Sequence, residues 1–193
     1  MPLQRLQNLS EIASASWDAL VPESQPFLRH AFLSALEDSG SVGPHTGWQP
    51  EHLLHIEGDR LIAALPSYRK WHSYGEYVFD HGWADACERA GIVYYPKLLS
   101  AVPFSPVSGP RLLAASIENG FELLNSLPGY LEIEELSSAH INFTDPFTDA
   151  ALAGQAGWLQ RIGCQYHWQN RGYRDFQDFL DALSSRKRKQ MRK

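Results

Sequence analysis

Apolar residues in the first forty positions recur at the spacing of amphipathic helices. Residues 11–20 carry apolar side chains on one side of a helical projection, and Ser10 stands where a cap is favoured. Residues 25–40 place apolar side chains at i, i+3, i+4, i+7 and i+8 counted from Leu28, and Gly40 follows as an end signal. The pattern therefore predicts two helices at the start of the chain.

Strand patterns dominate the middle of the chain. Residues 52–70 predict two strands joined by a tight turn at Gly58-Asp59, a glycine-first pair suited to a hairpin. Shorter patterns predict strands at 75–79, 97–104 and 138–143 and helices at 82–91 and 114–127, with Pro128-Gly129 interrupting the second helix.

The clearest alternation lies in residues 160–170. Ile162, Cys164, Tyr166 and Trp168 alternate with glycine and polar residues, which is the period of a strand. The thiol of Cys164 is thereby predicted to pack on the apolar face rather than to act as a nucleophile. Taken in order, these helices and strands predict a mixed α/β domain around one twisted sheet.

Composition and charge narrow the class of protein. The chain has 193 residues, 44% of them hydrophobic, and a net charge of -5, which is ordinary for a globular domain. The distant pair Cys87 and Cys164 indicates free thiols in a reducing compartment. Neither a secretory signal nor an apolar run of about 18 residues is present, so we expect a cytoplasmic protein without a membrane span.

The basic charge is concentrated at one end. Residues 186–193 carry six Lys and Arg side chains, so the preceding chain has a net charge of -11. Residues 175–193 predict one helix, with Asp175 as its cap, acids in its first turns and bases in its last. Its basic end fits a solvated helix terminus, a helix that continues beyond the sequence, or a contact with phosphate from a nucleotide-linked precursor or tRNA.

Several long strings resemble a known family. They are "PFLRHAFLSALEDSGSVGPHTGWQPEHLL", "SYGEYVFDHGWADACERAGIVYYPKLLSAVPFSPVSGPRLL" and "CQYHWQNRGYRDFQDFLDALSSRKRKQMRK". In this order they resemble the bacterial peptidoglycan biosynthesis/recognition family, a FemAB-like branch of the N-acetyltransferase (GNAT) superfamily. The resemblance covers nearly the whole chain. It implies a GNAT-like mixed twisted sheet flanked by helices.

The resemblance also implies a domain organisation. Family members are longer and consist of two acetyltransferase-like halves joined through the basic helix. On that basis, residues 1–174 form an N-terminal GNAT-like domain, and residues 175–193 begin a linker helix toward a second domain absent from this sequence. A C-terminal half or a second copy of the chain is then an expected partner, and we expect exposed apolar surface and self-association.

The implied activity is transfer of an acyl or aminoacyl group to an amine of a peptidoglycan precursor or a peptide, with this half recognising the acceptor. The alternative is a recognition module without catalysis. Transfer requires a base for the ammonium and donors for the developing oxyanion. The candidate catalytic residues are Asp80, His81 and Asp85; the candidates for substrate binding are Tyr74, Glu76, Tyr77, His167, Arg186 and Arg188.

A structural alternative exists for the same segment. Asp80 would cap the following helix, and the aromatic residues around it would belong to the core; these are Trp71, Tyr74, Tyr77, Phe79 and Trp83. Under this alternative the segment stabilises the fold and carries no chemistry.

The sequence predicts no cofactor. The superfamily binds the pyrophosphate of coenzyme A at a glycine-rich strand-to-helix junction, where backbone N–H groups meet phosphate. The corresponding string "PFSPVSGPRLL" has one glycine, Gly109, and prolines that remove donors. The motif is therefore absent, and any binding of acetyl-CoA would have to occur without it. Arg111 in this string is predicted to be structural. The histidines are scattered, and no metal site is predicted.

Overall fold

The computed structural model describes residues 3–153 and 155–192, which fall into two compact units. The first unit ends at Gln160 and the second begins at Arg161. The described residues form eight strands and seven α-helices. The predicted mixed α/β class is therefore confirmed.

The elements of the first unit follow one another in short steps. The strands are β1 (Gln4–Leu6), β2 (Trp48–Pro50), β3 (His52–Glu57), β4 (Arg60–Leu65), β5 (Tyr68–Lys70), β6 (Lys97–Ser100), β7 (Leu113–Ala114) and β8 (Ala139–Ile141). The helices are α1 (Ser14–Asp18), α2 (His30–Asp38), α3 (His81–Arg89), α4 (Ile117–Ile133) and α5 (Pro146–Ala153). The second unit contains α6 (Phe176–Asp181) and α7 (Ser185–Met191).

The strands form two four-stranded sheets rather than one. The first sheet has the order β1-β3-β4-β7 and is antiparallel throughout. The predicted hairpin is confirmed as β3–β4, with Gly58 in the left-handed conformation at the turn. The second sheet has the order β2-β5-β6-β8, and β6 pairs with β8 in parallel. Because β5 and β6 are antiparallel neighbours, the segment that joins them leaves and re-enters the sheet at the same end of these two strands.

The core lies against the first sheet. Leu123, Leu124 and Leu127 of α4 are buried with Leu53 of β3 and Leu65 of β4. On the side of α1, the buried indole of Trp17 donates a 2.9 Å hydrogen bond to the carbonyl of Leu28. Leu33 is the buried residue of α2, whereas Ala31 and Ala35 of the predicted stripe are exposed. The two N-terminal helices are confirmed, with α2 rotated from its predicted face.

Two local predictions in the first unit are wrong. Residues 75–79 form turns instead of a strand, and Tyr77 and Phe79 adopt left-handed backbone conformations. Glu76 explains the difference, because its side chain is drawn into the interior by an ion pair with Lys97. Helix α4 continues through Pro128 rather than stopping there, because its apolar face packs on the first sheet beyond that point.

The prediction of a strand at residues 160–170 is also wrong. The described backbone from Arg161 onward forms no sheet there, and the side chains of Ile162 and Tyr166 are more than nine-tenths exposed. Cys164 is exposed and not packed. Alternation alone does not make a strand, since a strand needs a neighbour to satisfy its backbone groups.

The basic C-terminal segment is two helices instead of one. Asp175 caps α6 as predicted, accepting a hydrogen bond from the backbone N–H of Asp178. Helix α6 ends at Asp181. The guanidinium of Arg188 donates to the carbonyl of Leu180, in the last turn of α6, and to that of Leu183, which follows the helix. None of the helices in residues 3–153 and 155–192 has both the length and the apolarity that crossing a bilayer requires.

Candidate functional site

A cleft of the first unit lies between the segment 71–80, which joins β5 to α3, and residues 92–95, which precede β6. Its volume is about 510 Å³. The lining residues are His72, Ser73, Tyr74, His81, Ala84, Asp85, Glu88, Ile92, Val93, Tyr94 and Tyr95. The cleft thus combines aromatic rings, imidazoles and carboxylates, which is the mixture expected of a site for a polar organic ligand.

Helix α3 contributes one polar stripe to the cleft. His81, Ala84, Asp85 and Glu88 are related by i, i+3, i+4 and i+7, so they share one face of the helix. The imidazole of His81 lies against the ring of Tyr74, with 5.5 Å between ring centroids. Glu88 was not among the predicted site residues, although its helical spacing from His81 and Asp85 is readable in the sequence.

A buried ammonium lies beneath the cleft. Lys97, the first residue of β6, has no exposed side-chain surface. Its Nζ donates hydrogen bonds to Oγ of Ser73 at 2.9 Å, Oε2 of Glu76 at 3.0 Å and Oδ2 of Asp80 at 2.6 Å. All three acceptors belong to the segment 71–80. Sequence reasoning missed Lys97, because no local pattern distinguishes a buried lysine at the start of an apolar strand.

Two tyrosines connect the opposite wall to the same group of residues. The hydroxyl of Tyr94 donates to Oδ2 of Asp80 at 2.7 Å. The hydroxyls of Tyr95 and Ser73 share a hydrogen bond of 2.8 Å. Both walls of the cleft are therefore joined through acceptors that Lys97 holds.

The electrostatics of this group are those of a desolvated ion cluster. Burial alone would raise the pKa of Asp80, but hydrogen bonds from Lys97, Ser73 and Tyr94 outweigh it and hold that pKa well below its usual range. Burial raises the pKa of Glu76 despite the attraction of Lys97. Asp80 is consequently a firmly ionised carboxylate.

A second buried lysine adjoins the cluster. Nζ of Lys70 lies 3.9 Å from Oε1 of Glu76 and 3.8 Å from the centroid of the Trp48 ring, and it donates to the carbonyl of Tyr74 at 3.2 Å. Burial lowers the pKa of Lys70 to about 7, against the attraction of Glu76. Its charge is therefore sensitive to pH near neutrality.

Three of the predicted site residues line the cleft, and two others are buried behind its wall. Tyr74, His81 and Asp85 line the cleft. Asp80 and Glu76 are buried and do not line it, because their carboxylates are turned toward Lys97. These two residues hold the wall of the cleft from within.

The structural alternative for this segment is wrong on both counts. Asp80 occupies the N-cap position of α3, but its side chain makes no capping hydrogen bond. The aromatic residues are exposed rather than buried in the core; they are Trp71, Tyr74, Tyr77, Phe79 and Trp83. Tyr77 is half exposed and lies outside the lining of the cleft.

The remaining candidates belong to the second unit. His167 is exposed, and its Nε2 lies 3.2 Å from Oε1 of Gln165. Arg188 is engaged with backbone carbonyls at the end of α6. Arg186 is exposed on α7. The residues that line the cleft all belong to the first unit.

Arg111 and Gly109 of the junction compared with the pyrophosphate loop make hydrogen bonds within the protein. Arg111 is buried and donates to the carbonyls of Asn142, Pro110 and Val107, which is the structural arrangement predicted for it. The backbone N–H of Gly109 donates to the carbonyl of Phe143 at 3.0 Å. Among residues 3–153 and 155–192, no group of three or more His, Cys, Asp or Glu side chains is placed to hold a metal ion.

Comparison with known proteins identifies a family for this chain. Neither the curated proteins nor the solved structures contain a significant match to the chain. The family model of FemAB-like proteins, described as peptidoglycan biosynthesis/recognition, matches residues 8–193, which is nearly the entire sequence. The resemblance predicted from the sequence is thereby confirmed, and the chain belongs to the FemAB-like family of peptidoglycan biosynthesis/recognition proteins.

Proposed function

We propose that the cleft binds an amine-bearing peptide of a peptidoglycan precursor, as the acceptor in an acyl or aminoacyl transfer. The observation that carries the proposal is the stripe of His81, Asp85 and Glu88 on α3, which faces aromatic side chains across the cleft. Carboxylates attract an ammonium, and aromatic faces attract it as well. A peptide with a side-chain amine presents such a group to this site.

In this proposal the residues of the cleft have separate roles. Asp85 and Glu88 orient the ammonium of the acceptor. His81 then takes one of its protons, because a neutral imidazole is a suitable base near neutral pH. The amine nitrogen forms a bond to the acyl carbon, and the bond from that carbon to its carrier breaks, with the electron pair leaving on the carrier. The second proton that the nitrogen loses passes to the departing carrier.

Asp80 is not the base in this scheme. Its lowered pKa makes it a weak proton acceptor, and its side chain is buried. It keeps the hydroxyl of Tyr94 in place at the cleft wall. The exposed residues Arg186, Lys187 and Lys189 of α7 are proposed to meet phosphate of a nucleotide-linked precursor or of tRNA.

The acyl donor is proposed to bind outside the junction around Gly109. The Arg111 guanidinium and the Gly109 N–H at this junction already donate to backbone carbonyls of the same chain. A second acetyltransferase-like half, or a second copy of this chain, would supply the donor site. This part of the proposal follows from the resemblance and not from a contact within the described residues.

Recognition without catalysis is the second candidate. Two observations favour it: the buried carboxylate of Asp80 is held in an ion pair with Lys97, and the Arg111 guanidinium already donates to backbone carbonyls. Both candidates predict binding of the amine-bearing peptide. They differ in whether supplying an activated acyl donor leads to a new amide bond.

Calorimetric titration of the full chain tests the binding step. The probe is a short synthetic peptide with one lysine side-chain amine, compared with the same peptide acetylated on that amine. We expect the free amine to bind more tightly, and Asp85→Asn to weaken its binding roughly tenfold. Glu132→Gln, on the exposed surface of α4, is the matched control. Equal binding of both peptides, or equal effects of both substitutions, would disprove the proposal.

Mass spectrometry then separates the two candidate functions. The amine peptide and an aminoacyl donor are incubated with the full chain and, separately, with the chain together with any C-terminal half that follows it. A new amide on the peptide supports transfer. Binding without a new amide under both conditions supports recognition alone.

A further inference from the structure

One buried side chain links the two walls of the cleft. We infer that Lys97 is a positioning residue, which fixes the separation between the wall of residues 71–81 and the wall of residues 94–95 by holding Ser73, Glu76 and Asp80 with one ammonium. Each of the three acceptors receives its own hydrogen bond, at 2.6 to 3.0 Å. An ammonium has three N–H donors, so Lys97 is fully used by these contacts.

The segment 71–80 is held mainly by side chains, since the Trp48 indole and the Lys70 ammonium, besides Lys97, donate to acceptors in it. It contains neither helix nor strand, so it has no ladder of backbone hydrogen bonds. Tyr77 and Phe79 have φ of 59° and 56°, a conformation that is unfavourable for residues with a Cβ. Such a backbone keeps one conformation only where the surroundings impose it. Lys97 contacts this segment at three points, Ser73, Glu76 and Asp80, and so restrains its backbone.

The second wall depends on the same ammonium through its acceptors. Oδ2 of Asp80 receives both the Lys97 ammonium and the Tyr94 hydroxyl. Oγ of Ser73 lies between the Lys97 ammonium and the Tyr95 hydroxyl. Moving the ammonium would therefore displace both tyrosines relative to Tyr74 and His81.

Stability alone does not account for this cluster. Desolvating a lysine and two carboxylates is costly, and buried ion groups are often replaced by apolar side chains without loss of stability. Oε1 of Glu76 and Oδ1 of Asp80 also lack hydrogen-bond partners, which adds to the cost. A cluster that stabilises poorly but defines the positions of the surrounding residues fits a positioning role.

The inference depends on the proposed function only for the identity of the ligand. A peptide amine held between Asp85 and the tyrosines needs a fixed distance across the cleft. Hydrogen exchange measures how readily the walls open, without any ligand. If the proposed function is wrong, the wild type will not bind the peptide. If this inference is wrong, removing the Lys97 ammonium will leave amide exchange in the walls unchanged.

The first experiment compares wild type with the neutral triple variant Lys97→Met, Glu76→Gln, Asp80→Asn. This variant removes the ammonium without leaving an unpaired buried carboxylate. We expect amide exchange of Tyr74 and Glu76, whose N–H groups donate hydrogen bonds inside segment 71–80, to become roughly tenfold faster, while β3 and β4 keep their protection. Binding of the amine peptide should fall by a similar factor. Unchanged exchange and binding would overturn the inference.

The second experiment avoids any change to the charged groups. Tyr94→Phe removes one hydroxyl that donates to Asp80 at 2.7 Å. Tyr130→Phe is the matched control, since its hydroxyl donates to Oε1 of Glu51 at the same 2.7 Å, away from the cleft. We expect Tyr94→Phe to weaken peptide binding roughly tenfold and to speed amide exchange of Tyr74 and Glu76. Equal effects of the two substitutions on both measurements would overturn the inference, even if the triple variant does not fold.

Discussion

The ammonium of Lys97 lies 2.6 Å from Oδ2 of Asp80, and neither side chain is exposed to solvent. The two residues are 17 positions apart in the sequence and belong to different elements. Their contact joins the start of β6 to the start of α3, the helix that carries the polar stripe of the cleft. This ion pair keeps Asp80 ionised and fixes its position, and it does so at the cost of desolvating both side chains.

Removing the ammonium alone should be severely destabilising. In Lys97→Met, Asp80 would lose its buried ammonium and Glu76 would keep only that of Lys70 at 3.9 Å, so the free energy of unfolding should fall by about 3–5 kcal/mol. Urea denaturation followed by fluorescence measures the change. Arg174→Met, which removes an ion pair with Asp178 at the exposed surface, should leave the midpoint nearly unchanged. A Lys97→Met protein as stable as Arg174→Met would show that the cluster is hydrated and not desolvated.

Two glycines in open space should respond to alanine with opposite signs. A Cβ at Gly129, inside α4, or at Gly58, in the β3–β4 turn, would meet no atom within 4 Å. Gly129 has helical backbone, so Gly129→Ala should stabilise the fold by about 0.5–1 kcal/mol. Gly58 has φ of 59°, so Gly58→Ala should destabilise it by about 1 kcal/mol. Thermal unfolding of both variants checks the signs, and changes of the same sign would refute the conformational explanation.

Local patterns predicted those elements whose contacts are local. The β3–β4 hairpin pairs two strands that follow one another in the sequence through the Gly58-Asp59 turn, and the cap at Asp175 lies three residues from its partner. The segment 160–170 has the alternation but no neighbouring strand among the described residues, so the pattern failed. The cause is physical, because sheet pairing is a long-range interaction that a single segment does not encode.

The candidate site was partly predictable for the same reason. His81 and Asp85 were found from the concentration of polar groups, and Glu88 follows from the helical period. Lys97 was missed because its acceptors lie 17 to 24 positions away. The same contacts turn Asp80 and Glu76 inward, so residues predicted to contact a substrate hold the cleft instead.

The end of α6 should depend on one guanidinium. Arg188 donates to the carbonyls of Leu180, Asp181 and Leu183, which satisfies backbone acceptors that a helix end leaves open. In Arg188→Met, amide exchange in α6 and α7 should become roughly tenfold faster. Lys189→Met is the matched control, because Lys189 is exposed on α7. If both variants exchange alike, the basic residues of α7 serve contacts outside the unit and not its helix ends.

Lys70 should make stability depend on pH above neutrality. In the folded protein burial lowers its pKa to about 7, whereas the unfolded chain keeps a value near 10.5. Between these values the unfolded state binds more protons, so this group makes the free energy of unfolding rise with pH, by at most about 1.4 kcal/mol per pH unit. The groups that face the Lys70 ammonium are Glu76, Lys97 and Asp80.

The measurement compares urea unfolding of wild type and Lys70→Met at pH 7, 8 and 9. Substitution removes the titrating group, so the difference in unfolding free energy should shift in favour of the wild type as pH rises. Lys187→Met, at an exposed site on α7, should show no such shift. A difference that stays constant with pH would mean that the Lys70 ammonium remains charged beside Glu76, with the ion pair outweighing its burial.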